Sequence, residues 1–146
     1  MINMPERGGL ELERVAAGGT GQLVVPHGLR VDEHEVEVAR LLTDFGFNVT
    51  FRALVMKDGV KNPDVEIDGK VWEIKSPKGG SENSTIANQF RRGKKQSTRL
   101  ILDLTRCKLD DSKATNQAKK RFFGQTLIHE LIIVTKQKQA IYCRIK

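Results

Sequence analysis

Only two cysteines, Cys107 and Cys143, occur in 146 residues. They are too few and too far apart for a disulfide scaffold or a zinc knuckle. Both read as small buried hydrophobes or free thiols of a reducing compartment. No apolar run approaches the ~18 residues that a membrane-spanning helix needs. The N-terminal stretch lacks the apolar segment of a secretory signal. Repeats, low-complexity tracts and coiled-coil heptads are absent. His34-Glu35 and His129-Glu130 each begin like a zinc-binding His-Glu-x-x-His, but Val38 and Ile133 stand where the second histidine belongs. What remains is one domain's length with 38% hydrophobic residues, enough for a modest core.

Charge is plentiful and unevenly placed. Residues 1–75 hold 9 Lys+Arg against 13 Asp+Glu, whereas residues 76–146 hold 16 against 5, giving the chain a net +7. A basic half beside an acidic half fits a phosphate-binding surface next to a carboxylate cluster. A solvated basic face that only aids solubility would give the same count.

Residues 1–30 are Gly-rich and little patterned, which reads as a lead-in or linker with a short helix around Leu10 to Ala16. Residues 31–146 then form the domain. Val38, Leu41, Leu42 and Phe45 recur at helical spacing, and Gly46 stops the helix. Val49, Phe51, Ala53 and Val55 alternate as in a strand. A hairpin over 65–75, a helix from Ser84 to about Ser97 and a buried-type strand over 100–104 follow. A helix from Ser112 to near Gly124 and two strands, 131–135 and 141–145, close the chain. The order predicts an α/β fold, a mixed β-sheet flanked by helices.

The hairpin carries the chemistry. Asp68-Gly69 is a strong two-residue turn signal, because both central positions of a type I′ turn need φ > 0. Counting back from it sets Ile67 opposite Lys70, Val65 opposite Trp72 and Asp64 opposite Glu73. Val65, Trp72 and Ile74 then share a core face, while Asp64, Glu66, Glu73 and Lys75 share the other. Two carboxylates opposed at roughly 5 Å repel unless something bridges them. A divalent cation supplies the missing charge, and hard oxygen ligands suit Mg²⁺. Lys75 projects into the same place, where its ammonium can orient water or stabilise charge on phosphorus. An ordinary solvated hairpin face explains the polarity but not the opposition of like charges.

A further acid is expected from the preceding helix. At 100° per residue Glu35 lies about 70° from the centre of the core face and Glu37 about 90° away on the other edge. Glu35 is therefore the better placed, with Glu37 its competitor. His34, nearer the face centre, is a core histidine, a phosphate contact or a base. Over residues 84–97, Ile86 and Phe90 form an inner stripe, leaving Asn88, Arg91, Arg92, Lys95 and Gln96 for other faces. Such side chains bond phosphates, sugars and base edges. The scarcity of aromatics argues against a stacking platform for single strands. Lys119-Lys120-Arg121 is a second basic cluster that extends the first.

Pro63-Asp64 and Glu73-x-Lys75 with an upstream helical glutamate resemble the PD-(D/E)xK nuclease superfamily, which has a restriction-endonuclease-like core. A closer resemblance lies in His34-Glu35, Ala39, Leu42 and Gly46, then Asn62-Pro63-Asp64 and Trp72-Glu73-Ile74-Lys75-Ser76-Pro77. Gln89, Gln96-Ser97 and Ile101-Leu102-Asp103-Leu104 complete it. Over about residues 31–145 this is similar to the C-terminal tRNase toxin domain of CdiA-type contact-dependent growth inhibition proteins. The resemblance implies a toxin module at the end of a larger secreted protein, delivered into the cytoplasm of neighbouring bacteria to cleave tRNA. It also implies a cognate immunity protein. Glu35, Asp64, Glu73 and Lys75 would be the catalytic set, with Asp64, Glu73 and Glu35 on Mg²⁺ or another divalent cation. Ser76 and Gln96 would lie near it. The Gly-rich lead-in would be the junction with the delivery portion, although Met1 also allows a stand-alone protein.

Three alternatives stay open at this level. The same constellation hydrolyses DNA, since the motif meets only a phosphodiester. The RNA 2′-OH can act as nucleophile with His34 as base. A non-catalytic nucleic-acid-binding module would keep the fold and lose the chemistry.

Overall fold

A computed structural model describes residues 9–12, 20–53, 62, 64–124 and 127–145, with side chains from residue 20 onward. In chain order the elements are β1 (Gly9–Leu12), β2 (Leu23–Val24), α1 (Glu33–Asp44), β3 (Val49–Phe51), β4 (Val65–Ile67) and β5 (Lys70–Lys75). Then come α2 (Thr85–Gly93), β6 (Arg99–Asp103), α3 (Asp111–Gly124), β7 (Glu130–Val134) and β8 (Ala140–Ile145). The strands form one mixed sheet in the order β1-β8-β7-β6-β5-β4-β3-β2. β5, β6 and β7 run parallel, and β4–β5 and β7–β8 are antiparallel hairpins. The α/β class with helices flanking a mixed sheet is the expected one.

Strand periodicity divides the core into two layers. Val65, Ile67, Trp72 and Ile74 pack with Val38, Ala39 and Leu42 of α1. Leu100, Leu102, Leu131 and Ile133 pack with Ile86 and Phe90 of α2 and with Phe122 and Phe123 of α3. β6 is buried on both faces, which is why Leu100-Ile101-Leu102 reads as an unbroken apolar run. α1 ends at Phe45, and Gly46 takes φ +92°, the left-handed residue that commonly closes a helix.

The hairpin follows its sequence. Val65 pairs Trp72, Glu66 pairs Val71 and Ile67 pairs Lys70. Asp68 at φ +50° and Gly69 at φ +80° make the left-handed turn that Asp-Gly foretells.

Other elements depart from the expectations. Gly9–Leu12 is a strand on β8, where a short helix around Leu10 to Ala16 was expected; residues 13–19 lie outside the described residues. Leu23–Val24 pairs with β3, so the Gly-rich lead-in supplies a strand at each edge of the sheet. β3 stops at Phe51, and Val55 falls outside the described residues. α2 stops at Gly93 rather than Ser97. A Cβ at Gly93 would meet Leu100 Cδ1 at 2.9 Å, so glycine there lets the Leu100 side chain pack directly against the end of the helix. Ser84 stands at the start of α2 without capping it, because its hydroxyl bonds Ser81 instead.

Candidate active site

The pairing of β4 with β5 ends at Val65–Trp72, so Asp64 has left the ladder. Its carboxylate takes over the next rung, with Oδ2 accepting the Ile74 N–H at 2.8 Å. That bond pins Asp64 against the strand that carries Glu73 and Lys75. Glu73 is 5% exposed, and one of its oxygens, Oε2, lies 3.1 Å from Lys75 Nζ. The other, Oε1, is buried with no hydrogen-bond partner among the described residues. Burial and then the Asp64 charge push the Glu73 carboxyl up to about 7, against the pull of Lys75.

Glu35 reaches the site from α1. It lines a cavity of about 210 Å³ together with Asp32, Arg52, Asn62 and Asp64. Its carboxyl is also raised to about 7, first by burial and then by the charges of Asp64 and Asp32, with Lys75 opposing. Glu37, its competitor, is exposed, so the structure brings Glu35 and not Glu37 to Asp64. His34 is half-buried on α1. The faces explain why Asp64 is central. α1 covers the side of the sheet bearing Trp72 and Ile74, whereas Glu73 and Lys75 alternate to the other side. Asp64, at the strand's start, is where the two meet.

The donor set fits a hard divalent cation. Glu73 Oε1 is orphaned beside the Asp64 carboxylate, and two carboxylates share one ammonium, Lys75, which leaves charge that a cation can offset. Mg²⁺ usually takes one or two carboxylates and fills its remaining positions with water and phosphate oxygens. Among the described residues no three His, Cys, Asp or Glu side chains stand close enough to form a complete cage. Asp64 and Glu73 are thus the pair suited to hold the ion, with Glu35 in their field.

The remaining expected residues surround this centre unequally. Asn88 and Arg92 on α2 line a groove of about 410 Å³ whose other wall is Ser76 to Gly79. Arg91 and Lys95 are exposed nearby on the same helix and its following turn. Gln96 turns inward, where Oε1 accepts the Asn62 N–H at 3.0 Å and tethers the segment leading to Asp64. The second basic cluster is split: Lys120 and Arg121 are exposed, but Lys119 is 6% exposed and faces the protein. Its spacing from Thr115 and Phe122 was the available signal, since residues three and four apart share a helix face. Sequence reasoning named Asp103 in the resemblance but gave it no role; it is 1% exposed and accepts the Ser76 hydroxyl at 2.9 Å.

Against known proteins, residues 61–140 match the model of the contact-dependent growth inhibition CdiA C-terminal domain. The chain belongs to the CdiA C-terminal domain family. The match spans the hairpin with Asp64, Glu73 and Lys75, the basic helix α2 and the strands β4 to β7. This CdiA C-terminal toxin domain also shares its fold with a solved structure, a CdiA-CT/CdiI toxin and immunity complex from Burkholderia pseudomallei. The TM-score is 0.61 at 20% identity, covering 85% of this chain and 99% of that one. No curated protein matches the sequence.

Proposed function

We propose that this toxin domain is a metal-dependent ribonuclease that cleaves tRNA. The observation that carries the proposal is Asp64 and Glu73 held side by side in a partly desolvated pocket, with Lys75 Nζ 3.1 Å from one Glu73 oxygen. The PD-(D/E)xK resemblance of these residues supports it, as does the groove beside α2, where Asn88 and Arg92 can hold phosphates next to the centre. Asp64 and Glu73 would hold the cation through their carboxylates. When bound, Mg²⁺ supplies charge against the phosphoryl oxygen and acidifies a water. Lys75 directs the attacking water and offsets charge on phosphorus. Glu35, raised to about 7, is suited to exchange a proton near neutral pH.

The domain acts, on this reading, in the cytoplasm of a target bacterium after export as the end of a larger secreted protein. A cognate immunity protein blocks it, as the toxin and immunity complex of the Burkholderia neighbour suggests. A strongly basic half invites an inhibitor with an acidic face. Incubating the purified protein with total tRNA and with plasmid DNA, each with Mg²⁺ and with chelator, tests the substrate. We expect metal-dependent cleavage of tRNA alone. Cleavage of DNA alone overturns the substrate, and cleavage that survives chelator overturns the metal and points to the 2′-OH with His34.

A further inference from the structure

We propose that Asp103 is a positioning residue that fixes the root of Lys75 through Ser76. The proposal rests on the reading of Lys75 as the site's working ammonium. Lys75 is the last residue of β5 and pairs with Leu102 of β6, so Ser76 stands level with Asp103 just where the ladder ends. Beyond this point no strand pairing holds the β5 backbone. The last residue of β6 and the loop after it grip it instead, at one place each. The Ser76 hydroxyl donates to Asp103 Oδ2 at 2.9 Å, and Arg106 Nη2 donates to the Ser76 carbonyl at 3.2 Å.

Asp103 is built to hold that grip. Its other oxygen, Oδ1, accepts the Thr105 N–H at 3.0 Å and the Thr105 hydroxyl at 2.6 Å. A turn motif local to β6 explains the Oδ1 bonds, since aspartate commonly caps its own chain two residues on. It does not explain Oδ2, which reaches across to another strand. At 1% exposure Asp103 cannot touch a nucleic acid, so any influence on the reaction passes through Ser76. The side chain of Lys75 is long and about a quarter exposed, with Glu73 its partner at the far end. Its ammonium keeps a fixed place only if its backbone does.

The test uses the whole chain and three variants, Asp103→Asn, Ser76→Ala and the double substitution. Cleavage of tRNA is measured as kcat and KM, with the folded fraction from circular dichroism. We expect Asp103→Asn to lower kcat by about 10- to 100-fold with KM within about twofold, the scale of a sub-ångström to ångström misplacement. The double variant should lose no more than the worse single, because both substitutions act on one link. An unchanged kcat per folded molecule, a loss confined to KM, or additive losses would overturn the proposal. A second readout is independent of cleavage: the ¹³Cε resonance of Lys75 in lysine-labelled protein, assigned with Lys75→Arg. Asp103→Asn should move it, and an unmoved resonance overturns the positioning role. If the wild-type chain cleaves nothing, the nuclease reading fails while this spectrum still decides the link. Should Asp103→Asn not fold, Ser76→Ala carries both readouts.

Discussion

Replacing Glu73 by glutamine should stabilise the metal-free protein above neutral pH while disabling it. In the unfolded chain a glutamate titrates at its ordinary 4.5, but in the fold Glu73 titrates at about 7. Below pH 4.5 both states hold the proton and the carboxyl costs nothing. Between 4.5 and 7 the unfolded chain ionises and the folded one does not, so stability falls as pH rises. Above 7 the full cost is present. The gap between 4.5 and 7 corresponds to about 3 kcal/mol at most, and water at the pocket mouth reduces this to about 1–3 kcal/mol. The Lys75 attraction is already inside the net direction of the shift. Glutamine keeps the shape and removes the charge. Thermal unfolding in chelator should therefore show equal midpoints at pH 4 and a variant higher by about 3–10 °C at pH 8. Mg²⁺ should then raise the wild-type midpoint and leave the variant's unmoved, since a ligand stabilises only the state that binds it. A variant equal to or less stable than wild type at pH 8 in chelator would mean that the buried charge carries no such cost.

Asp64→Ala and Lys75→Ala should each reduce tRNA cleavage by at least about 100-fold with the circular dichroism spectrum unchanged. Loss of the spectrum alongside activity would show these residues hold the fold instead. Trp72→Ala should cost about 3–5 kcal/mol in urea unfolding, because the indole is 3% exposed between β4 and α1. Arg91→Ala with Arg92→Ala should weaken RNA binding and lower the slope of log K against log salt by about 1–2, about one for each phosphate left unneutralised. An unchanged slope would place the RNA elsewhere. The pH profile of cleavage should rise through about 7 as Glu35 ionises; a profile flat between pH 5 and 8 would rule this out.

The centre was legible because a two-residue turn fixes everything counted from it. Once Asp68-Gly69 takes positive φ, the facing pairs up to Val65–Trp72 follow by arithmetic, and the observed register repeats them. What arithmetic could not show is that Asp64 leaves the strand and uses its side chain as a rung, which needs the position of Ile74. Glu35 and Glu37 lie on opposite edges of the helix face, and their offsets from its centre differ by only about 20°. The position of Asp64 separates them. The edge strands β1 and β2 were hidden because their partners lie 130 and 26 residues away respectively, at Tyr142 and Val49, and a short strand with a distant partner has almost no local pattern. Asp103 was hidden by its neighbours: at the end of an apolar run it reads as a strand terminus, and its bond to Ser76 crosses between parallel strands. Gln96 was read as a nucleic-acid contact near the catalytic set, and its Oε1 also accepts the Asn62 N–H just before Asp64, a bond with no local sequence signal.

Asp64, Glu73 and Lys75 acting as one metal-dependent phosphodiesterase centre is the claim on which the rest depends. Single-turnover cleavage of labelled tRNA by the wild-type protein, titrated with Mg²⁺ from zero, puts it to trial. We predict no cleavage in chelator, a rate that saturates with Mg²⁺, and no response to Mg²⁺ in folded Asp64→Ala. A wild-type rate independent of Mg²⁺, or a folded Asp64→Ala that cleaves at the wild-type rate, would overturn it.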